Sequence, residues 1–313
     1  MLQKLLSQAK TVAIGGHIRP DGDCIGSCTG LYQYIKEMYE DISVDLYLES
    51  FPEVFKFIEA TKEILHEAKE KTYDLFIALD CGDADRLGFS KVLFEKARKT
   101  FCVDHHISNE SFAMENYIKP EASSTSELVY ELIEKEKISK AVAESLYTGI
   151  VHDTGVFQYS CTAPETMEAA ADLMRCGIDA PEIIQKTYYE KTYAQQQILG
   201  CKLLESVRFM DERAMVAAVT RKQMKFFGIT PNDMEGIVSQ MRNTKGVEVA
   251  IFMYEIDHYK FKVSLRSSNL VDVSKVAKYF GGGGHKKAAG VTMTGRKHDI
   301  INNLSAQIAL QLD

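Results

Sequence analysis

The chain has 313 residues, of which 45% are hydrophobic and 26% are charged, and its formal net charge is −7. This composition is typical of a soluble globular protein of one large or two ordinary domains, and no apolar run approaches the ~20 residues that cross a bilayer. The acidic balance argues against a partner such as long nucleic acid, because proteins that track it usually carry a basic face.

The N-terminus and the cysteines indicate the compartment. The first ten residues, MLQKLLSQAK, predict a short amphipathic helix and lack the apolar core and cleavage site of a signal peptide. The seven cysteines include no CxxC pair, so neither a zinc ribbon nor a thioredoxin-like site is supported. Cys24 and Cys28 lie four residues apart on a predicted helix, and we interpret them as packing thiols. These features favour a reducing, cytoplasmic environment.

The first half of the chain alternates strand and helix patterns. Short apolar runs rich in β-branched residues predict buried strands, and helical sequence separates them. Such alternation favours an α/β fold with a doubly wound, mainly parallel sheet. Strands are predicted over residues 11–17, 44–50, 73–80 and 100–106, and helices over 24–39, 124–135 and 140–153.

The second half predicts a smaller α/β domain behind a helical connector. Residues 181–207 form a polar, tyrosine-rich helical stretch with little core pattern. After it, strand and helix patterns begin again, and the glycine-rich residues 281–290 are interpreted as a loop. Strands are predicted over 214–220, 247–256 and 259–268, and helices near 232–241, over 273–280 and at the C-terminus. The resulting boundaries are 1–187 for the first domain, 188–207 for the linker and 208–313 for the second domain.

Acidic and histidine residues gather where three predicted strands and one helix end. The carboxyl ends of parallel strands share one edge of a sheet, so these side chains are expected to lie close together. Asp153, at a helix C-terminus, is unfavourable against the helix dipole, which favours a functional role. The residues are His17, Asp21 and Asp23; Asp80; Asp104, His105 and His106; and Asp153.

Taken singly, the clusters also have structural explanations. Asp21 and Asp23 flank Gly22 and can be turn formers or a helix N-cap. Asp80 can cap a strand–helix junction, and one of the two adjacent histidines can be polar filler. Four such coincidences at one sheet edge nevertheless favour a functional site.

Carboxylates and imidazoles in this number predict a divalent metal centre. Unpaired carboxylates repel one another, and a cation neutralises them. Mixed oxygen and nitrogen ligands without thiolate fit manganese or a similar ion better than structural zinc. There are enough ligands for two ions with a bridging carboxylate, ~3.5–4 Å apart, which suits in-line phosphoryl displacement.

Five longer motifs stand out: HIRPDGDCIGS (17–27), LDCGDADRLG (79–88), VDHHISN (103–109), VHDTGVFQYS (151–160) and GGGGHKKAAG (281–290). The first four resemble the motifs of the DHH phosphoesterase superfamily, in family order. The fifth resembles the signature of its associated C-terminal substrate-binding domain. Within the superfamily, length and layout are most similar to the NrnA-type oligoribonucleases.

The resemblance implies a role for each motif residue. His106 would contact the scissile phosphate, and Asp104 would orient an imidazole. A hydroxide between two manganese ions, for which magnesium or cobalt can substitute, would be the nucleophile. The implied ligands are His17, Asp21 and Asp80 for one ion and Asp23, Asp80, His105 and Asp153 for the other, with Asp80 as the bridge.

The C-terminal motif is predicted to bind the far end of the substrate. Its glycines, including Gly283 and Gly284, let backbone amides approach an anion, and His285 with Lys286 and Lys287 supplies positive charge. A flexible linker is the alternative interpretation. The guanidinium of Arg266 can donate two hydrogen bonds to a phosphate, and so can that of Arg86. An exposed arginine with a structural role explains each position as well.

The resemblance implies hydrolysis of short oligoribonucleotides and of 3'-phosphoadenosine 5'-phosphate (pAp). The main alternative is a phosphodiesterase for cyclic dinucleotides or their linear products. A pyrophosphatase of the same superfamily is disfavoured by the GGGGH motif, a RecJ-like exonuclease by the chain length, and a nucleotide-sensing module by the intact metal motifs. The sequence leaves open whether the protein is a homodimer.

Overall fold

The computed structural model describes residues 1–312, which divide into two compact units, Met1–Glu190 and the chain from Lys191 onward. The boundary between the two units falls after Glu190, inside the helical connector predicted at residues 181–207. It therefore divides the linker that is predicted to comprise residues 188–207. Among the described residues, no helix combines the length and the apolar character needed to span a membrane.

The first unit is built on a six-stranded sheet in which every neighbouring pair is parallel. The strands are β1 (Thr11–Gly15), β2 (Ser43–Tyr47), β3 (Ile64–Leu65), β4 (Leu75–Leu79), β5 (Lys99–Asp104) and β6 (Glu115–Ile118). The helices are α1 (Leu2–Leu6), α2 (Gly22–Met38), α3 (Lys91–Lys96), α4 (Thr125–Leu132), α5 (Lys140–Asp153), α6 (Pro164–Arg175) and α7 (Ala180–Ile184). Short 3-10 turns and a π-helical turn at Gln185–Tyr189 complete it.

Both faces of this sheet are covered, as the doubly wound prediction requires. Alternate strand residues enter different apolar clusters: Ile14 and Ile77 pack on the side of α2, α4 and α5, whereas Ala13 and Phe76 pack on the opposite side. The strand order β3-β2-β1-β4-β5-β6 reverses between β1 and β4. Ligands of open α/β sheets bind at this switch point, beyond the carboxyl ends of the strands.

Helices α2 and α5 pack closely because glycines face each other. A Cβ on Gly26 would lie 2.5 Å from the carbonyl oxygen of Ser145 and 2.7 Å from the backbone nitrogen of Gly149. α2 begins directly after Asp21, whose carboxylate accepts hydrogen bonds from the backbone N–H groups of Asp23 and Cys24. The N-cap interpretation of Asp21 is therefore correct, and α2 starts next to the sheet edge.

The second unit contains a mixed six-stranded sheet in the order β11-β12-β10-β9-β8-β7. Only the β8–β9 pair is parallel within this described sheet. Its helices are α8 (Tyr193–Leu204), α9 (Arg221–Phe227), α10 (Ile237–Arg242), α11 (Val273–Tyr279) and α12 (Lys297–Ala309). Its strands are β7 (Val207–Phe209), β8 (Ala214–Val219), β9 (Val249–Asp257), β10 (Lys260–Ser267), β11 (Gly283–His285) and β12 (Ala288–Thr294).

The interpretation of residues 281–290 as a loop is wrong. Gly283–His285 forms the edge strand β11, which pairs with Ala288–Gly290 of β12. Glycines are rare in strands, but here they are required, because a Cβ on Gly284 would lie 2.5 Å from the carbonyl oxygen of Ala288 and its φ is +140°.

Candidate metal centre

Eight predicted residues of the first unit meet at the switch point of its sheet. His17 lies two residues beyond β1, and Asp80 follows β4 directly. Helix α2 presents the aspartates of its N-terminus, and α5 ends at Asp153. The residues that the fold gathers are His17, Asp21, Asp23, Asp80, Asp104, His105, His106 and Asp153.

Asp80 lies at the centre, with its two carboxylate oxygens facing different imidazoles. Oδ2 is 3.3 Å from Nε2 of His17, whereas Oδ1 is 3.7 Å from Nε2 of His105 and 3.7 Å from Nδ1 of His106. The hydroxyl of Thr125 donates to Oδ1 at 3.1 Å. The Asp80 backbone is left-handed, with φ of +57°, a conformation that aspartate tolerates better than most residues. This arrangement suits a carboxylate that bridges two cations.

Asp23, His105 and Asp153 form a second set of ligand atoms within 4.8 Å of one another. Nε2 of His105 lies 3.1 Å from Oδ2 of Asp153 and 4.0 Å from Oδ2 of Asp23. Nδ1 of His105 is 3.3 Å from the carbonyl oxygen of Ala122, so Nδ1 carries the proton and Nε2 faces the carboxylates. The set therefore surrounds one cation-sized position with oxygen and nitrogen atoms.

The N-terminus of α4 holds Asp23 in place. The backbone N–H groups of Thr125 and Ser126 donate to its two carboxylate oxygens at 2.6 and 2.9 Å. A helix N-terminus favours a negative charge, and these are two of its donors without intrahelical partners. Asp23 is fully buried, so this support offsets part of the cost of burying a carboxylate.

His17 is oriented to receive a cation. Its Nδ1 lies 2.9 Å from the carbonyl oxygen of Ile18, which can only accept, so the proton is on Nδ1. Nε2 then faces Oδ2 of Asp80 at 3.3 Å and Oδ1 of Asp21 at 3.6 Å. Burial alone would lower the pKa of His17, but the neighbouring Cys24, Asp21 and Asp80 raise that pKa far above its usual range.

The pKa values of Asp23 and His105 are also raised, because several carboxylates lie together in this buried site. Burial, followed by the charges of Asp80 and Asp153, raises the pKa of Asp23 well above its usual range. Burial opposes protonation of His105, but Asp153, Asp23 and Asp80 raise its pKa to about 11. A divalent cation satisfies all these groups at once, so the residues fit a metal centre with carboxylate and imidazole ligands.

His106 is oriented by a chain of hydrogen bonds. Its Nδ1 lies 2.7 Å from Oδ1 of Asp104, and Oδ2 of Asp104 accepts from Nδ2 of Asn109 at 2.7 Å. The same Asn109 amide donates to the carbonyl oxygen of Cys81 at 2.9 Å. Asp104 thus directs one ring nitrogen and leaves Nε2 of His106 for another ligand.

Arg86 lies in the turn Ala84–Ser90 beside the loop after β1. Its carbonyl oxygen accepts from the backbone N–H of Ile18 at 2.7 Å, and its side chain is half-buried. This bond ties the turn to the segment that carries His17.

Two predicted substrate residues of the second unit share one row of its sheet. Arg266 of β10 pairs with Ala288 of β12, which pairs in turn with His285 of β11. Residues directly opposite one another in antiparallel strands point to the same face. Arg266 and His285 therefore flank the small Ala288 side chain on one face, beside Gly283, Gly284 and Lys286 in the same hairpin.

Several supporting residues were missed in the sequence. The sequence assigns no role to Asn109, the last residue of the VDHHISN motif, or to Thr125, which lies outside the motifs, because the role of each depends on which strands and helices meet. His152 packs its ring against Gly22, where a Cβ would lie 2.3 Å from Cγ of the ring. Nε2 of His152 lies 2.9 Å from Oγ1 of Thr187. A glycine between two site aspartates was the available signal for this close approach.

Comparison with protein-family models finds two consecutive domains. Residues 11–150 match the DHH family, N-terminal domain, and residues 212–310 match the DHHA1 domain. The first match contains all the metal-centre residues except Asp153, and the second contains the Arg266 and His285 row.

Related proteins cover nearly the whole chain. The bifunctional oligoribonuclease and PAP phosphatase NrnA of Bacillus subtilis is 26% identical over 93% of this chain and 92% of its own length. The cyclic-di-AMP phosphodiesterase PdeA of Listeria monocytogenes is 29% identical over 97% of this chain but only 49% of its own length. A crystal structure of an exopolyphosphatase-related protein from Bacteroides fragilis superposes with a TM-score of 0.92 at 28% identity, covering 99% of this chain and 94% of that one.

Proposed function

We propose that this chain, which belongs to the DHH family and carries a DHHA1 domain after its DHH domain, is a manganese-dependent phosphoesterase that hydrolyses short oligoribonucleotides and removes the 3'-phosphate of pAp. Hydrolysis of phosphoester bonds is the reaction class of this family. The NrnA relative, similar over nearly its full length, supports the choice of substrates.

The position of Asp80 carries the proposal. One carboxylate oxygen faces His17 and the other faces His105, which is what a bridging ligand between two cations requires. When bound, the two ions supply Lewis acidity toward the phosphoryl oxygens and lower the pKa of a bound water. Manganese fits the donor atoms, and magnesium or cobalt can replace it. The proposed ligands are His17, Asp21, Asp23, Asp80, His105 and Asp153.

The protein's own residues orient the phosphate. We assign Nε2 of His106 to a non-bridging phosphate oxygen, because Asp104 holds the opposite ring nitrogen. An imidazole that donates a hydrogen bond there stabilises the charge that develops on the phosphoryl group. Arg86, in the turn tied to the His17 loop, is assigned to the same anion.

The second unit is assigned to the substrate end away from the scissile bond. Arg266 and His285 supply donors for a terminal phosphate, and only the small Ala288 side chain lies between them in that row. Lys286 and the backbone of Gly283 and Gly284 belong to the same assignment. Binding of one end of a short substrate agrees with the net charge of −7, because that charge disfavours binding along a long nucleic-acid strand.

The relative PdeA supports a second candidate, hydrolysis of cyclic dinucleotides or their linear products. This chain spans only about half of that protein's length. We also place the enzyme in the cytoplasm, where all seven free cysteines would remain reduced.

A substrate panel with Mn²⁺ tests the proposal. The panel compares pAp, RNA of two to five nucleotides, linear and cyclic dinucleotides, long single-stranded DNA and pyrophosphate. The proposal predicts the highest kcat/KM for pAp and the short RNAs. A higher value for the cyclic dinucleotide would select the second candidate, and a preference for pyrophosphate or long DNA would contradict both.

A further inference from the structure

A buried thiol lies beside the metal centre and is absent from the ligand set proposed above. The ligand atoms of Cys24, His17 and Asp80 all lie within 4.8 Å of one another. Their residues are 0%, 4% and 2% exposed, so each donor is shielded from bulk water. Sulfur, nitrogen and oxygen thus converge on one side of Asp80.

The backbone fixes where the Cys24 thiol lies. Cys24 occupies the first turn of α2, and its N–H donates to Oδ1 of Asp21 at 3.2 Å. Its Sγ lies 4.0 Å from the carbonyl oxygen of His17. A Cβ on Gly16 would lie 2.3 Å from that sulfur, so the absence of a side chain at Gly16 creates the space that the thiol fills.

His17 provides an independent indication that a cation belongs here. Its ring is almost fully buried, and Nδ1 is committed to the carbonyl oxygen of Ile18. Nε2 is directed at the carboxylates of Asp80 and Asp21. Two acceptors facing each other in a buried site require a proton or a metal ion between them.

We propose that Cys24 makes the His17 position a thiophilic metal site, which takes Zn²⁺ or Cd²⁺ through sulfur in addition to imidazole and carboxylate. The inference rests on the proposed metal centre. Thiolate, imidazole and carboxylate together suit tetrahedral Zn²⁺, whereas Mn²⁺ prefers oxygen ligands. Binding replaces the thiol proton, which passes to solvent.

The consequence is inhibition by zinc. Three protein ligands, Cys24, His17 and Asp80, would hold Zn²⁺ at the position that the proposed function assigns to one catalytic Mn²⁺. Zn²⁺ at this position therefore excludes the catalytic Mn²⁺ and draws Asp80 away from its bridging role.

Cys28 offers a matched control. It lies one turn further along α2, is equally buried, and its Sγ would lie 3.0 Å from the same Cβ on Gly16. Among the described residues, it belongs to no cluster of three ligand atoms. If the two cysteines are only packing residues, their replacement should change metal binding equally little.

The test is a Cd²⁺ titration of the metal-free full chain, followed through the ultraviolet thiolate-to-cadmium charge-transfer band. The inference predicts this band in the wild type and in Cys28→Ala, and its loss in Cys24→Ala and in the closer isostere Cys24→Ser. By competition, the ratio of Zn²⁺ to Mn²⁺ affinity should fall about 10–100-fold in the Cys24 variants and stay at the wild-type value in Cys28→Ala.

Persistence of the band in both Cys24 variants, or its equal loss in Cys28→Ala, would overturn the inference. The proposed function fails separately, if Mn²⁺ activates hydrolysis of no substrate in the panel. Hydrolysis with Mn²⁺ but no charge-transfer band in the wild type would reject the cysteine site and leave the proposed function intact.

Discussion

The orientation of His106 depends on residues that never need to touch the substrate. Asp104 accepts from its Nδ1, and Asn109 holds Asp104 from the other side while also bonding to the backbone of Cys81. Burial would raise the pKa of Asp104, but the bond to His106, together with Asn109, keeps that pKa below its usual value. Asp104 therefore stays ionised and can hold an imidazole in a single orientation.

Replacement of Asn109 should separate positioning from binding. Asn109→Ala removes the amide that orients Asp104, so kcat should fall about 10–100-fold, while Mn²⁺ affinity and KM change little. Steady-state kinetics and Mn²⁺ titration measure the split. Asn116→Ala is the control. The Asn116 amide donates to the carbonyl oxygen of Ala113 in the same segment at 2.7 Å and does not contact the site. Equal kcat in the two variants would contradict the positioning role.

The proposed metal ligands lie together because α2, α4 and α5 approach one another closely. Gly149 lies inside α5, where a Cβ would meet Oγ of Ser126 at 1.9 Å and Oδ1 of Asp23 at 2.8 Å. The missing side chain lets the N-terminus of α4 reach the Asp23 carboxylate. Close helix packing and the position of a metal ligand thus have a common cause.

Two glycine-to-alanine replacements should change the free energy of unfolding in opposite directions. Gly200→Ala, inside α8 with no heavy atom within 4 Å of the new Cβ, should raise the free energy of unfolding by about 0.5–1 kcal/mol through helix propensity. Gly149→Ala should lower it by about 1–3 kcal/mol through overpacking and should weaken Mn²⁺ binding. Urea unfolding measures both. A stabilised Gly149→Ala variant would show that the helices are not tightly packed there.

Asp74 links the start of β1 to the start of β4 by hydrogen bonds. Its titration makes the free energy of unfolding depend on pH. The N–H of Lys10 donates to Oδ2 at 3.0 Å, and this bond, together with those from Thr11 and the charge of Arg98, lowers the pKa of Asp74. A lowered folded-state pKa adds stability above the unfolded pKa, and that stability is lost as pH falls through the folded value.

Asp74→Ala should therefore destabilise the protein most at neutral pH, by about 1–3 kcal/mol. The difference from wild type should shrink below about pH 4, where the unfolded carboxyl is protonated. Urea unfolding from pH 3 to 7 measures this difference in the free energy of unfolding. Asp41→Ala, at an exposed position, is the control. A difference that is constant across this range would contradict the electrostatic explanation.

The sequence predicted the central strands because their buried apolar runs are distinctive, but it did not predict the edges. β3 has two residues, and the four residues of β6 are all half-buried, so neither shows a clear pattern. The glycine-rich sequence of β11 predicts a loop because glycine is rare in strands, and only the pairing of β11 with β12 explains its conformation.

The candidate site likewise contains residues that the sequence predicts and residues that it does not. Residues with a motif, such as Asp80 and His105, were predictable because they follow strands that share an edge. Asn109, Thr125 and the environment of Cys24 were not, since each depends on a contact between elements distant in sequence. Cys24 was interpreted as a packing thiol, and its proximity to His17 is visible only in the folded chain.

At the scale of the molecule, chemistry and substrate recognition are assigned to different units. The first unit contains the proposed metal ligands, and the second unit presents Arg266 and His285 in one row. A terminal phosphate is the ligand group that the row of Arg266 and His285 is proposed to bind.

His285→Ala should therefore affect binding and spare the metal centre. Loss of a charge-assisted hydrogen bond should raise KM for 5'-phosphorylated dinucleotides about tenfold, with Mn²⁺ affinity unchanged. His298→Ala, at an exposed position of α12, is the control. An unchanged KM would remove His285 from the substrate site, whereas weakened Mn²⁺ binding would indicate a structural role.

The proposed hydrolysis requires that Asp80 bridge two metal ions. Electron paramagnetic resonance during a Mn²⁺ titration, with hydrolysis of pAp followed in the same samples, tests this bridge in the wild type and in Asp80→Asn. A bridging Asp80 predicts two magnetically coupled ions per wild-type chain, and loss of both coupling and hydrolysis in a variant that remains folded. A single uncoupled ion in the active wild type, or full hydrolysis by Asp80→Asn, would contradict it.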